Sequence, residues 1–185
     1  ASTISTTVFD LLVGGMISAA LIPAFSDYAA REDDGELWEV ASVVINVALV
    51  VLAAVAAVLA LLAPQLVGVL APGFEAEARR MTVNLLRFMM PSLVFLGIAG
   101  ILTGLLYSRH RYVYSAFPIA VYNASVIVAA LTLSRYLGVV SLAVGVLLGG
   151  MMQVALQLPG LRGMKYRWKV QLGHPGLRRI AALYL

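Results

Sequence analysis

Five apolar stretches, each about as long as a membrane-spanning helix, recur along the 185-residue chain. A helix needs about 20 mostly apolar residues to cross the hydrocarbon core of a bilayer. The stretches lie at 4–25, 40–62, 81–107, 112–133 and 137–158, and a further apolar helix begins near Pro175. The sequence therefore predicts an all-α fold, a polytopic transmembrane helix bundle with five spans plus the start of a sixth.

The composition excludes a soluble globular protein and several kinds of enzyme. Hydrophobic residues make up 62% of the chain and charged residues 12%, whereas a soluble domain is about a quarter charged. The chain has no cysteine, so it lacks a disulfide framework, a thiolate nucleophile and a cysteine-based metal site. His110 and His174 both fall in connections between spans. We therefore expect no enzyme activity, no metal and no cofactor.

Basic residues are unevenly divided among the connections, which indicates an orientation. The first, third and fifth connections hold seven Lys and Arg, whereas the second and fourth with their flanks hold three. Because cytoplasmic loops carry the excess of these residues, the odd-numbered connections are predicted to be cytoplasmic. The net charge of +4 then reflects topology, and nucleic acid is not expected as a partner.

Charged residues inside a span are costly, so each is a functional hypothesis. Asp10 lies in the first span and Arg87 in the third. Asp10 is at cavity depth or near the interface, and Arg87 either contacts substrate or extends towards a lipid headgroup.

Neutral polar residues in spans need hydrogen-bond partners, and bonds between helices are the favoured explanation for them. The group comprises Asn46, Asn84, Asn123, Gln153 and Gln157. The GxxxG spacings Gly100 to Gly104 and Gly145 to Gly149 predict close helix packing within one bundle.

Three segments, in order, carry a family resemblance. They are residues 14–28, which contain Ile-Pro and then Asp-Tyr; Leu-Ala-Pro-Gly-Phe at 70–74; and Gln-x3-Gln-Leu-Pro-x-Leu at 153–161. Together with Leu-Leu-Arg at 85–87 and Asn123, they make nearly the whole chain resemble the MurJ/MviN family of bacterial lipid II flippases.

The resemblance implies two six-helix lobes around a hydrated central cavity, in the bacterial cytoplasmic membrane. Residues 1–172 would form part of the N-terminal lobe without its first helix, and residues 173–185 would begin the second lobe. The chain also opens without an initiator Met and ends as an apolar run starts, so we expect a fragment of a longer protein. The implied partners are lipid II, membrane lipids and the second lobe.

The expected substrate-binding residues are Arg87, Asp10, Asn123 and Gln153. Where many family members have paired basic residues, this chain has Phe9 and Asp10, and a carboxylate does not bind phosphate in the same way. Two alternatives stay open at this stage. One is another transporter on the same fold, such as a multidrug and cation antiporter or a polysaccharide-lipid flippase, and the other is a non-transporting scaffold for cell-wall synthesis.

Overall fold

A computed structural model describes residue 25, residues 34–164 and residue 166. In these residues every regular element is helical. Four helices are long and apolar enough to cross a membrane. They are α1 (Asp34–Leu70), α2 (Ala76–Ser108), α4 (Pro118–Leu137) and α5 (Val140–Gln157), with a short α3 (Tyr112–Ala116) before α4 and a 3-10 helix (Leu158–Leu161) after α5.

The four long helices confirm the second to fifth predicted spans. The predicted span at 4–25 and the helix near Pro175 lie outside the described residues, apart from Phe25. The largest difference concerns α1, which continues to Leu70 although the sequence predicts its end at residue 62. Its helical path includes Pro64, a residue that normally kinks or breaks a helix because it has no backbone N–H.

One arginine of α2 compensates for this proline, and a second arginine bonds to the carbonyl of the proline itself. Without an N–H at Pro64, the carbonyl of Ala60 lacks its usual donor four residues later. Arg87 Nε donates to that carbonyl oxygen at 3.0 Å, and Arg79 Nη2 donates to the carbonyl oxygen of Pro64 at 3.2 Å. Arg87 therefore supplies the donor that the missing N–H of Pro64 would have given, and α1 stays helical to Leu70.

The predicted span starting at Tyr112 is divided into two helices. Helix α3 ends at Ala116, and Pro118 opens α4 within its first turn. Proline fits this position because the N–H it lacks would have no helical partner there.

Glycines bring α4 and α5 into close contact. A Cβ added at Gly145 would lie 2.9 Å from Val126 Cα, and one added at Gly149 would lie 3.1 Å from the Tyr122 carbonyl oxygen. This GxxxG pair packs within one bundle, as the sequence predicts. Gly100 differs, since no described atom lies within 4 Å of a Cβ placed there.

The main core lies between the first half of α1 and the second half of α2. Its buried members are Phe25, Leu37, Trp38, Val40, Ala41, Val44, Ile101, Leu102, Leu105, Leu106 and Leu161. By contrast, α4 presents large apolar side chains outwards, such as Ile119 (69% exposed) and Leu131 (74% exposed). A helix face of this kind suits lipid or a further part of the protein as its neighbour.

Candidate functional site: a cationic recess and a polar interior

A recess of about 370 Å³ lies between the second half of α1 and the first three turns of α2. We call it the outer recess. It is lined by Pro64, Arg79, Arg80, Val83, Asn84 and Arg87. Residues 79, 83 and 87 are spaced by four, so they share one face of α2, while Arg80 and Asn84 are on the adjoining face.

The arginines of the outer recess differ in how firmly they are held. Arg79 and Arg87 are each bonded to a carbonyl of α1. The side chains of Arg80 and Asn84 are exposed, and neither has a hydrogen-bond partner among the residues that the structure describes. No described carboxylate forms a salt bridge with any of the three guanidiniums. The recess is therefore a cationic surface rich in hydrogen-bond donors.

The packing of α2 against α5 shows where the outer recess lies along the axis of the bundle. Gly150 of α5 lies against Phe95 and Ser92 of α2, and the two helices run in the same direction. Val140, ten residues before Gly150, is then level with about residue 83 of α2 at 1.5 Å per residue. The recess is consequently at the end of the bundle where α5 begins, which the distribution of Lys and Arg predicts to be the outer face.

A second polar cluster lies in the interior towards the opposite end. Gln157 is fully buried, and its Nε2 donates to Thr103 Oγ1 at 2.8 Å across the α2 and α5 interface. Thr103 in turn donates to the Ala99 carbonyl. The Oε1 atoms of Gln153 and Gln157 are both buried, and neither has a hydrogen-bond partner in the described part of the chain. Two unused acceptors on one face of α5 mark a place for a water molecule or a polar ligand group.

The chain after α5 comes back to α1 close to the cluster of Thr103 and Gln157. The hydroxyl of Tyr166 donates to Oδ1 of Asn46, which is completely buried in α1. Arg111 Nη1 donates to the Gly160 carbonyl at 2.8 Å, and the guanidinium of Arg109 lies 5.1 Å from the centre of a Trp38 ring. These contacts join α1, the end of α2 and the 3-10 helix at the inner end.

The structure does not bring the predicted substrate-binding residues together. Arg87 lies in the outer recess, Asn123 is exposed on α4, and Gln153 is half-buried on α5. From the pairing of Gly150 with Phe95 and Ser92, Arg87 and Gln153 are about 14 Å apart along the bundle axis. Asp10 lies outside the described residues.

Sequence reasoning treated Arg79 and Arg80 as topology signals and missed their place beside Arg87. The spacing of Arg79, Val83 and Arg87 carried that signal, because residues four apart are neighbours on a helix. Thr103 was also missed, since a lone threonine in an apolar span has no distinctive pattern.

The comparisons with known proteins all indicate the same family. The family described as Lipid II flippase MurJ matches residues 1–185, the whole chain. A probable lipid II flippase MurJ of Buchnera aphidicola is 25% identical over 155 residues, which cover 82% of this chain and 30% of that protein. The lipid II flippase MurJ of Burkholderia cenocepacia is 26% identical over 181 residues, covering 91% and 34%. A probable lipid II flippase MurJ of Rhizobium meliloti is 28% identical over 187 residues, covering 95% and 35%.

A solved structure agrees in fold. The chain is similar to a lipid II flippase MurJ in an inward closed conformation, with a TM-score of 0.76 and 18% identity over 96% of this chain and 38% of that one. The chain thus spans about a third of the length of these relatives. Its apolar helices are those of a multi-pass membrane protein. On the match over its full length, the chain belongs to the lipid II flippase MurJ family.

Proposed function

We propose that the protein containing this chain moves lipid II from the inner to the outer leaflet of the bacterial cytoplasmic membrane. The observation that carries the proposal is the family match over residues 1–185, and the similarity in fold to a solved flippase supports it. Residues 1–172 contribute part of the N-terminal lobe, and residues 173–185 begin the second lobe. The second lobe is a necessary partner because the substrate path runs between lobes.

The transport step needs polar groups rather than covalent chemistry. The pyrophosphate and sugars of lipid II cannot cross hydrocarbon unaided, so the protein must supply donors and cations while the lipid tail stays in the membrane. Alternating access of the two lobes exposes this path to one leaflet at a time. We propose no enzyme activity and no cofactor for this step.

Four residues are proposed to contact the substrate. Because Nε of Arg87 is bonded to Ala60, its two Nη groups are the ones that would donate to phosphate oxygens. Gln153 offers a buried acceptor that no described residue bonds to, suited to a sugar hydroxyl or an amide N–H. Asn123, with an exposed side chain on α4, would bind the same kinds of groups. Asp10 belongs to the proposal as the carboxylate at the family's basic position.

These residues would act in succession. The axial distance of about 14 Å between the levels of Arg87 and Gln153 is too large for both to bind one phosphate. A headgroup moving outwards would meet Gln153 and Asn123 first and Arg87 later. Membrane lipids surround the bundle throughout.

The test is rescue of bacteria depleted of their own lipid II flippase. The complete gene should restore growth and lipid II flipping, while Arg87→Gln, Asn123→Ala and Gln153→Ala should each lower the flipping rate. Arg135→Gln is the matched control, because it removes a positive charge from the last turn of α4, away from the proposed path. Failure of the unmodified gene, with the protein present in the membrane, would contradict the proposal.

Equal flipping by all three variants and the unmodified protein would leave the substrate class intact and reject these residues. In that case Arg87 would act only as the donor to α1.

A further inference from the structure

We propose that the outer recess binds the phosphate group of a membrane phospholipid in the outer leaflet. This inference goes beyond the proposed transport function, because it concerns a membrane phospholipid rather than the transported lipid, and the two proposals share only Arg87. It rests on the geometry of Arg79, Arg80, Asn84 and Arg87.

The first argument is that two of the guanidiniums already hold a hydrogen bond to α1, although both side chains are exposed. Arg79 and Arg87 are anchored on α1 carbonyls at 3.2 and 3.0 Å. A guanidinium has five N–H groups, so each retains donors for a second acceptor. Side chains held in place before binding lose less conformational entropy when a ligand arrives.

The second argument is that no described negative charge balances the positive charges of the three arginines. Three arginines lie within nine residues of α2, and no described carboxylate forms a salt bridge with any of them, although Glu75 and Glu77 are close in sequence. Like charges at this spacing repel one another. A bound anion would remove the repulsion, and phosphate suits arginine because it accepts two parallel N–H bonds.

The third argument is the position of the recess. It is level with the start of α5, at the end of the bundle, where lipid headgroups lie. Leu61, 73% exposed, is one turn before Pro64 on α1, and Phe88, 43% exposed, is one turn after Asn84 on α2. A cationic floor beside exposed apolar side chains fits a phosphate that carries acyl chains better than it fits a free anion.

The binding experiment uses the complete protein in detergent and native mass spectrometry. The probes are dioleoylphosphatidylglycerol and dioleoylglycerol, which share their acyl chains and differ in the phosphate-bearing headgroup. Phosphatidylglycerol should bind and dioleoylglycerol should not. The double variant Arg80→Gln, Asn84→Leu should weaken phosphatidylglycerol binding about tenfold, as expected for one lost charge-assisted bond.

Arg80 and Asn84 are chosen because they have no partner among the described residues, so replacing them leaves the contacts between α1 and α2 intact. An unchanged thermal unfolding midpoint of the variant checks this. Arg135→Gln is the control for charge, since it removes one positive charge at the other outer connection. It should bind phosphatidylglycerol like the unmodified protein.

A third probe, inorganic phosphate, distinguishes a site for the phosphate of a phospholipid from a site for free phosphate. If it binds alone and displaces phosphatidylglycerol, the site takes free phosphate, and the lipid part of the proposal is overturned. If it does neither while phosphatidylglycerol binds, the lipid assignment holds. Equal binding of both dioleoyl probes, or equal affinity of the double variant and the unmodified protein, would overturn the site. None of these readouts depends on flipping, so the proposal can fail or succeed apart from the transport function.

Discussion

Arg87 and Pro64 act on the same backbone carbonyl. The proline leaves the oxygen of Ala60 without its helical donor, and Arg87 Nε, on the neighbouring helix, donates to that oxygen at 3.0 Å. A charged residue in a span thus has a structural use that is independent of any substrate.

This relationship predicts that Arg87→Met is less harmful when residue 64 is alanine. Alone, Arg87→Met should lower the free energy of unfolding by about 1 kcal/mol, because the Ala60 oxygen loses its donor. In a Pro64→Ala background the new N–H supplies the missing helical bond, and the loss should be smaller. Unfolding of the complete protein in SDS measures all four members of the cycle. The explanation is wrong if Arg87→Met costs the same in both backgrounds.

The two GxxxG pairs are predicted to respond differently to alanine. Gly145→Ala should destabilise the protein by about 1–3 kcal/mol, because the added methyl would meet the backbone of α4 at Val126. Gly100→Ala is the matched control, since a Cβ there meets no described atom. It should be neutral or stabilising by up to about 1 kcal/mol, owing to the better helix propensity of alanine. Thermal unfolding of both variants tests the contrast, and equal destabilisation would contradict it.

The bond between Gln157 and Thr103 should appear as an interaction energy. Gln157→Leu and Thr103→Val each remove one partner of the 2.8 Å bond. Their double-mutant cycle should give a coupling of about 0.6 kcal/mol, typical of hydrogen bonds between transmembrane helices. SDS unfolding supplies the four free energies. Strictly additive losses would show that the bond does not stabilise the pair of helices.

Cysteine labelling should establish the orientation. In a version of the complete protein without other cysteines, Gly73→Cys and Tyr136→Cys should react with a membrane-impermeant maleimide in intact cells. Arg162→Cys should react only after the membrane is opened. All three positions are exposed, so access to reagent should decide the result. Labelling with the opposite pattern would invert the topology assigned from the Lys and Arg distribution.

The sequence was sufficient for the number and order of the described helices that are long enough to span a membrane, but not for their ends. Hydropathy predicts where a helix can enter the membrane, and α5 follows the predicted span to within three residues at each end, whereas α2 and α4 begin five and six residues away from their predicted starts. It failed at the end of α1 because the donor that replaces the missing N–H of Pro64 is Arg87 of α2, 23 residues further along the chain. The break before Pro118 was missed for a related reason, since apolar residues on both sides of the proline read as one continuous span.

The candidate site was only partly predictable. Arg87 was identified because a charge inside a span is costly, but the contribution of Arg79 and Arg80 depends on how α2 packs against α1. Likewise, the amide of Gln153 was recognised as polar, whereas its unpartnered oxygen depends on the neighbours that α2 provides.

The bond between Tyr166 and Asn46 also has a consequence for biosynthesis. Its partners are 120 residues apart, so at about 5–20 residues per second it can form only about 6–24 s after Asn46 is synthesised. In the hairpin of α4 and α5 the contacting residues are much closer in sequence, such as Val126 and Gly145, which are 19 residues apart, so it can assemble as soon as α5 is inserted. The inner end of the bundle is therefore among the last parts to close, and a translational pause before residue 166 would prolong its open state.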